Sequence, residues 1–324
     1  MTSEACCQKR KKSKALPVTY ITHKDIDKGK WDAAIRSADN GLIYGYSYYL
    51  DKMSPGWDAL ILGAYETVMP LTWNRKFGIR YLYQPAFTQQ LGVFGKDSDD
   101  PEIVALFLQE AACHFRFAEI NLNYRNHTSR SEYQRCNLIL PLDRPFGKIK
   151  ESFRKDLLQN VRKAKSLELR YEAGVDYKKV ISLYQLSYGS RMALPKDSFE
   201  NFTSLCQVLL EKGQLLLRHI TSKEGRMLAA GLFLKDENRI YKTMTVTLAE
   251  GRTAEANHLL LYELIKEHAG THTAFDMSGS DVPSIKSFLI KFGAVVQPYP
   301  FVRINRLPFP LNWIKKVSGQ SGRH

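Results

Sequence analysis

With 324 residues, 44% of them hydrophobic, the chain is long enough for two domains and can bury a sizeable core, which excludes a disordered polymer. Its formal charge is +14, of which residues 1–16 carry +4, so the folded remainder is itself basic and suits anionic partners such as CoA, nucleotide sugars, tRNA or a membrane surface. Five cysteines (Cys6, Cys7, Cys113, Cys136 and Cys206) without a CxxC pair exclude a disulfide framework or zinc ribbon and match a reducing cytoplasm. No apolar run reaches the ~20 residues of a membrane span, and no apolar segment follows the basic start as a secretory signal requires.

Residues 1–16 read as a solvated basic tail. Structure is expected from Pro17: a strand at Val18–Ile21, helices at Ile26–Ser37 and Tyr44–Met53, then strands at Trp57–Gly63 and Thr67–Trp73 joined near Ala64–Glu66. An alternating aromatic strand, Ile79–Gln84, leads into a loop rich in Phe and Gln that ends at Gly95. Pro101–Phe115 has helical spacing, and Phe117–Leu122 and Arg135–Leu140 read as strands before Pro141 and Pro145. That places a boundary near 145.

The second half opens with a basic helix, Phe153–Lys165, and a strand, Glu168–Glu172. Helices at Tyr177–Met192 and Ser198–Lys212 follow. Three strands (Gln214–Thr221, Met227–Lys235 and Arg239–Thr247) form an antiparallel meander. An amphipathic helix, Glu255–Ala269, closes at Gly270; a strand at Ala274–Met277, a helix at Val282–Phe292 and a strand at Val295–Ile304 complete the order. Both halves share a helix-then-meander plan, which hints at duplication.

The run Glu250-Gly251-Arg252-Thr253-Ala254-Glu255-Ala256-Asn257 enters a helix from a strand, and the first turn of a helix presents unpaired amides and a positive dipole end to anions. Gly251 permits a sharp path, Ala254 and Ala256 permit close approach, and Arg252 suits a phosphate. An ordinary helix start explains the same residues.

Two local patterns carry a family resemblance. One is Phe153-Arg154-Lys155 with Gln159-Asn160-Val161-Arg162-Lys163-Ala164-Lys165. The other is Phe275-Asp276-Met277-Ser278-Gly279-Ser280, followed by Phe288, Lys291, Phe292, Gly293 and Ala294. Together with the element order they resemble the Fem and BioF2-like branch of the GNAT acyltransferases over most of 146–305, and more loosely over 17–145. The resemblance implies an α/β (α+β) chain of two tandem GNAT-like lobes. Each lobe would be a mixed, mainly antiparallel sheet flanked by helices: a degenerate one at 17–145, an acyltransferase lobe at 146–310, and a tail at 311–324. It further implies an acyl donor between splayed strands Arg239–Thr247 and Ala274–Met277, touching Thr243, Thr245, Gly251, Arg252, Ala254, Ala256, Asn257 and Ser280. Two departures stand out. Gly251 is the only glycine at the expected phosphate loop, and Leu289 occupies the place where Fem proteins often carry lysine, with Lys291 on another face.

For the chemistry, Asp276 is the candidate base or amine-orienting group, Ser278 a hydrogen-bond donor to the intermediate, and Tyr241 a proton donor to a leaving thiolate; a capping Asp276 and a core Tyr241 are the alternatives. Tyr241 and Thr243, two apart on a strand, should share a face. The acceptor should meet Gln84, Gln89 and Gln90 on the first-half loop and Arg154, Arg162 and Lys165 on the basic helix, unless these are a packed loop and a solvated face. His268 and His272 flank Gly270 and make a poor metal pair, so no metal is expected.

The function expected is N-acyl transfer to an amine acceptor, small molecule, lipid or cell-wall precursor, from acyl-CoA or an acyl-carrier protein as co-substrate, with no resident cofactor. The alternatives are a Fem-like transferase using charged tRNA, and a non-catalytic binding protein. The location expected is cytoplasmic, with peripheral membrane contact through Leu307–Lys316 as an option and DNA excluded.

Overall fold

The computed structural model describes residues 17–310 apart from His272 and Ser280; the expected tails at 1–16 and 311–324 lie outside the described residues, with most of the Leu307–Lys316 segment. The chain forms two compact units, one of residues up to Arg135 together with those from Tyr299 onward, the other Cys136–Pro298. The border thus falls inside a strand, Tyr133–Pro141, rather than at the prolines near 145. Backbone pairing sets it: Glu132 N donates to Phe301 O at 2.9 Å, and Phe301–Asn305 pairs with Phe117–Asn121. No change of composition marks such a point.

In the first unit β1 (Thr19–Ile21), β2 (Asp58–Leu62), β3 (Thr67–Leu71) and β6 (Phe94–Gly95) form one antiparallel sheet. β4 (Trp73–Lys76) pairs with β5 (Ile79–Leu82), β5 runs parallel to β7 (Phe117–Asn121), and β7 pairs with β14 (Val295–Asn305). The single strand expected at Thr67–Trp73 is therefore two strands in different sheets. Thr72 makes the break, exchanging bonds with Tyr83 through its backbone oxygen (3.0 Å) and hydroxyl (2.6 Å). The helices are α1 (Lys28–Ser37), α2 (Ser47–Met53) and α3 (Pro101–His114). Asp100 caps α3 by accepting from Glu102 N at 2.8 Å, and Pro101 takes the first position, where its missing N–H costs nothing. Val104, Phe107, Leu108 and Ala111 recur at helical spacing and pack with Leu60, Met69 and Leu71.

The second unit has strand order β8-β13-β12-β11-β10-β9, where β8 is Tyr133–Pro141, β9 Arg170–Ala173, β10 Leu215–Thr221, β11 Met227–Lys235, β12 Arg239–Thr247 and β13 Ala274–Asp276. Only β12 and β13 run parallel in this order. The helices are α4 (Phe146–Lys150), α5 (Lys155–Ser166), α6 (Tyr177–Tyr188), α7 (Ser198–Glu211), α8 (Ala249–Thr253), α9 (Ala256–His268) and α10 (Pro283–Ile290). The one-turn helices α4 and α8 are too short for periodicity to reveal. The helix expected to be amphipathic, α9, buries Leu259, Leu260, Leu261 and Tyr262 in succession, because the sheet covers one side and α5 another. Full burial of each such side chain stabilises the fold by about 1.5–3 kcal/mol.

Candidate functional site

The sheet of the second unit opens at one place. β12 and β13 pair from Arg239↔Ala274 to Tyr241↔Asp276. β13 then stops, while β12 runs on to Thr247. From Lys242 onward, that edge of β12 has no sheet partner among the described residues.

A bulge on β12 sits at the parting point. Leu232 opposes Met244 and Phe233 opposes Lys242, so Thr243 has no partner on β11. An extra residue shifts the alternation of faces. Tyr241 is fully buried, and beyond the bulge full burial falls on Met244 and Val246. Tyr241 and Thr243 therefore do not share a face. Lys242 and Thr245, on either side of the bulge, line one cavity of about 240 Å³ with Tyr188, Asn257, Ser284 and Phe288.

The cavity has an unusual electrical setting. Asn257 is the second residue of α9 and Ser284 the second of α10, and neither helix has a side-chain cap. Two helix starts with their positive dipole ends thus meet at one hole. Lys242 adds an ammonium whose lost hydration lowers its pKa to about 8, and no neighbouring charge contributes to that shift. Asn257 Oδ1 is buried without a hydrogen-bond partner. None of the lining residues is acidic.

The approach to α9 differs from a glycine-rich cradle. Glu255 holds a left-handed conformation, with φ at 59°, between α8 and α9. Its carboxylate is taken up by Lys163 Nζ at 3.6 Å and His258 Nδ1 at 2.9 Å.

Residues 151–283 match the acetyltransferase (GNAT) domain family. The chain carries a GNAT acyltransferase domain. No curated protein matches the sequence. Among solved structures the fold is similar to FemX, at 15% identity and a TM-score of 0.66, covering 89% of this chain and 98% of that one. It is also similar to the C-terminal domain of an Agrobacterium fabrum protein described as a lysylphosphatidylglycerol synthetase (9% identity, TM-score 0.52, 90% and 96% covered). A Bacteroides thetaiotaomicron protein of unknown function is comparable (9%, 0.53, 89% and 99%). At such identities the likeness is one of fold alone.

Within the GNAT domain, Thr245 and Asn257 are the two expected donor contacts that line the cavity. Gly251 is buried with its open side against β11, where a Cβ would meet Leu228 O at 2.1 Å, so close packing of the chain on itself demands the glycine. Ala254 and Ala256 likewise belong to the hydrophobic core. Arg252 is exposed on α8 and does not line the cavity. Ser280 lies outside the described residues.

The expected catalytic residues are also placed elsewhere. Asp276 is fully buried and receives bonds from Arg239 Nη1 (3.1 Å), Asn137 Nδ2 (3.0 Å) and Ser278 N (2.9 Å). Burial nevertheless pushes its carboxyl pKa upward against the pull of Arg239. Its lone pairs hold the turn after β13 together, and Ser278 serves the same turn through its amide. Tyr241 donates its hydroxyl to buried Asp236, which removes it as a proton donor to a leaving group.

Arg154, just before α5, and Arg162 on it are exposed, while Lys165 pairs with Glu263 at 2.7 Å and lies over the Tyr262 ring. In the first unit the glutamines stitch their own loop. Gln84 Nε2 donates to Thr88 O (3.0 Å) while its Oε1 accepts from Asn121 N (3.1 Å). Buried Gln90 accepts from Tyr124 N (2.8 Å) and donates to Gln89 Oε1 (3.0 Å). A cavity of about 500 Å³ in that unit includes Asp39, Asp99 and Arg125, but Arg125 already bridges the two acids at 3.5 and 3.7 Å.

Sequence reasoning missed Lys242, Tyr188 and Ser284. The available signal was a lone lysine inside the strand Arg239-Ile240-Tyr241-Lys242-Thr243-Met244, where strict alternation sets it on one face with the apolar Ile240 and Met244.

Proposed function

We propose that the protein is an N-acyltransferase whose donor arm lies along the free edge of β12. The observation that carries this reading is the parting of β12 from β13 beside the cavity of about 240 Å³. An exposed strand edge takes an extended amide-bearing arm as it would take another strand, and the pantetheine arm of an acyl thioester is such a ligand. The acceptor amine, arriving neutral, attacks the acyl carbon. The carbon–sulfur bond breaks, and the proton released by the nitrogen passes through water to the leaving thiolate. With Asp276 and Tyr241 committed to structure, positioning and backbone donors at the opened edge carry the catalysis rather than a dedicated base.

The donor class proposed is acyl-CoA or an acyl-carrier protein; the acceptor is an amine on a small molecule, lipid or cell-wall precursor. We place the reaction in the cytoplasm or at the inner membrane face; no helix among the described residues is long and apolar enough to cross a membrane. The test is thiol release from acyl-CoA in the presence of an amine panel, with the amide product identified by mass. Absence of both acyl-CoA binding and thiol release across the panel would overturn the thioester reading.

A second reading, an aminoacyl ester donor on tRNA, is favoured by one observation: Gly251 is the only glycine in the run 250–257, so the glycine-rich cradle for a CoA diphosphate is missing. Salt-dependent tRNA binding, with log affinity falling linearly against log salt, together with aminoacyl transfer would select it. Chloride-insensitive or absent tRNA binding would discard it.

A further inference from the structure

The cavity contains more than a channel for a donor arm requires. An ammonium with lowered hydration and no opposing charge is costly unless something else completes it. Here the completing group does not come from the protein: the lining has no acid, and the neighbouring Glu255 is engaged by Lys163 and His258. The starts of α9 and α10 add positive potential from two directions. Asn257, half-buried on the same wall, has an inaccessible Oδ1 without a partner, so its NH₂ is the group left open to an anion. One wall, Ile285, Phe288 and Leu289, is apolar, while Tyr188, Thr245 and Ser284 add hydroxyls around it.

We infer that this cavity is an anion subsite for a carboxylate at the end of a short acyl chain, held by Lys242 and Asn257, so that the donor delivers a dicarboxylic acyl group. The inference rests on the acyl-transfer reading and narrows it. Three features favour a carboxylate over a phosphate. A single ammonium matches one negative charge, whereas a phosphate group carries about −1.5 to −2 at neutral pH. The apolar wall suits methylenes leading up to the charge. The volume of about 240 Å³ is below the range of drug-sized ligand sites and fits a short chain. The same ammonium disfavours acyl groups that carry a cation.

Two measurements test this separately from the transferase reading. In the first, thermal unfolding is followed at matched ionic strength with succinate, succinamide or inorganic phosphate. Succinate is expected to stabilise the wild type, neutral succinamide and phosphate far less, and Lys242→Met and Lys242→Gln are expected to lose the succinate response while keeping a cooperative transition. Equal stabilisation by phosphate, or an undiminished succinate response in both folded variants, overturns the inference. In the second, kcat/KM is compared for succinyl-CoA and butyryl-CoA. A preference of at least about tenfold for succinyl, worth about 1.4 kcal/mol, is expected in the wild type and should collapse in Lys242→Met. Turnover without that preference removes the inference and leaves the transferase standing. No turnover with a Lys242-dependent succinate response does the reverse.

Discussion

Two sets of polar side chains in this chain are built in opposite ways. In the first unit Asn40, Gln90, Asn123 and Asn126 are almost wholly buried and spend their hydrogen bonds on the loop around them. Asn126 alone donates to Val93 O (2.9 Å) and Ser98 O (2.8 Å) and accepts from Val93 N (2.9 Å). Gly92, at φ 97°, passes so close that a Cβ would stand 2.5 Å from Asn126 Oδ1. In the second unit Asn257 keeps an unpartnered oxygen beside the uncompensated ammonium of Lys242. A satisfied polar cluster fixes a fold, whereas an unsatisfied group beside a cavity is free to bond a ligand. Residue type does not separate the two cases; satisfaction does.

The widest separation between closed and open clusters comes from the Asp276–Arg239 pair. Arg239→Met strands a buried carboxylate, and we expect about 3–5 kcal/mol of lost stability by urea unfolding. A loss under about 1 kcal/mol would mean that Asp276 has solvent access and is open to a catalytic role. Next in size is Asn126→Ala, which leaves the Val93 amide and carbonyl without that partner. A loss of about 2–3 kcal/mol is expected from the same measurement.

Much of the architecture can be read from the sequence. The Asp100-Pro101 start of α3 and the apolar spacing through Ala111 announce a capped helix, and the meander β10–β12 follows from its turns. The Asp276 motif marks a special turn, although its structural role emerges only once Asn137 and Arg239, distant in sequence, are seen to converge on it. The cleft itself is a matter of register. Nothing in residues 239–247 announces that pairing with β13 stops at Tyr241, or that a bulge at Thr243 brings Lys242 and Thr245 to one cavity. The loop glutamines misled for a related reason: a polar side chain in a turn-rich stretch looks available until its backbone partners, such as Asn121 N and Tyr124 N, are located.

Deleting the open cluster should have the opposite sign. Lys242→Met removes an ammonium that the fold disfavours, so stability at pH 7 should be unchanged or rise, by up to about 1–3 kcal/mol. The pH signature follows from the direction of the shift. A folded pKa of about 8, below the ordinary lysine value of 10.5, means that the unfolded chain binds the extra proton between those values. Stability therefore rises with pH across that window for the wild type relative to Lys242→Met, and the penalty is complete below it. If the difference between the two proteins is flat from pH 7 to 10.5, Lys242 is hydrated and the cluster is closed after all.

The smallest effect is expected where a cluster is satisfied but half in water. Glu267 receives bonds from Arg218 and the Tyr171 hydroxyl, and the Arg218 guanidinium is the main cause that lowers its carboxyl pKa to about 2. The folded value lies below the ordinary 4.5, so the contribution is present above that pH and is lost as pH falls through about 2. A third of the Glu267 side chain is exposed, however, at 33%, and water screens much of the attraction. Glu267→Gln should therefore cost less than about 1 kcal/mol at pH 7, and its difference from the wild type should close between pH 4.5 and 2 in urea titrations. A loss as large as that of Arg239→Met would mean that hydrogen-bond satisfaction outweighs burial in setting the worth of a polar cluster. The contrast between Asn126 and Lys242 would then rest on partner count alone.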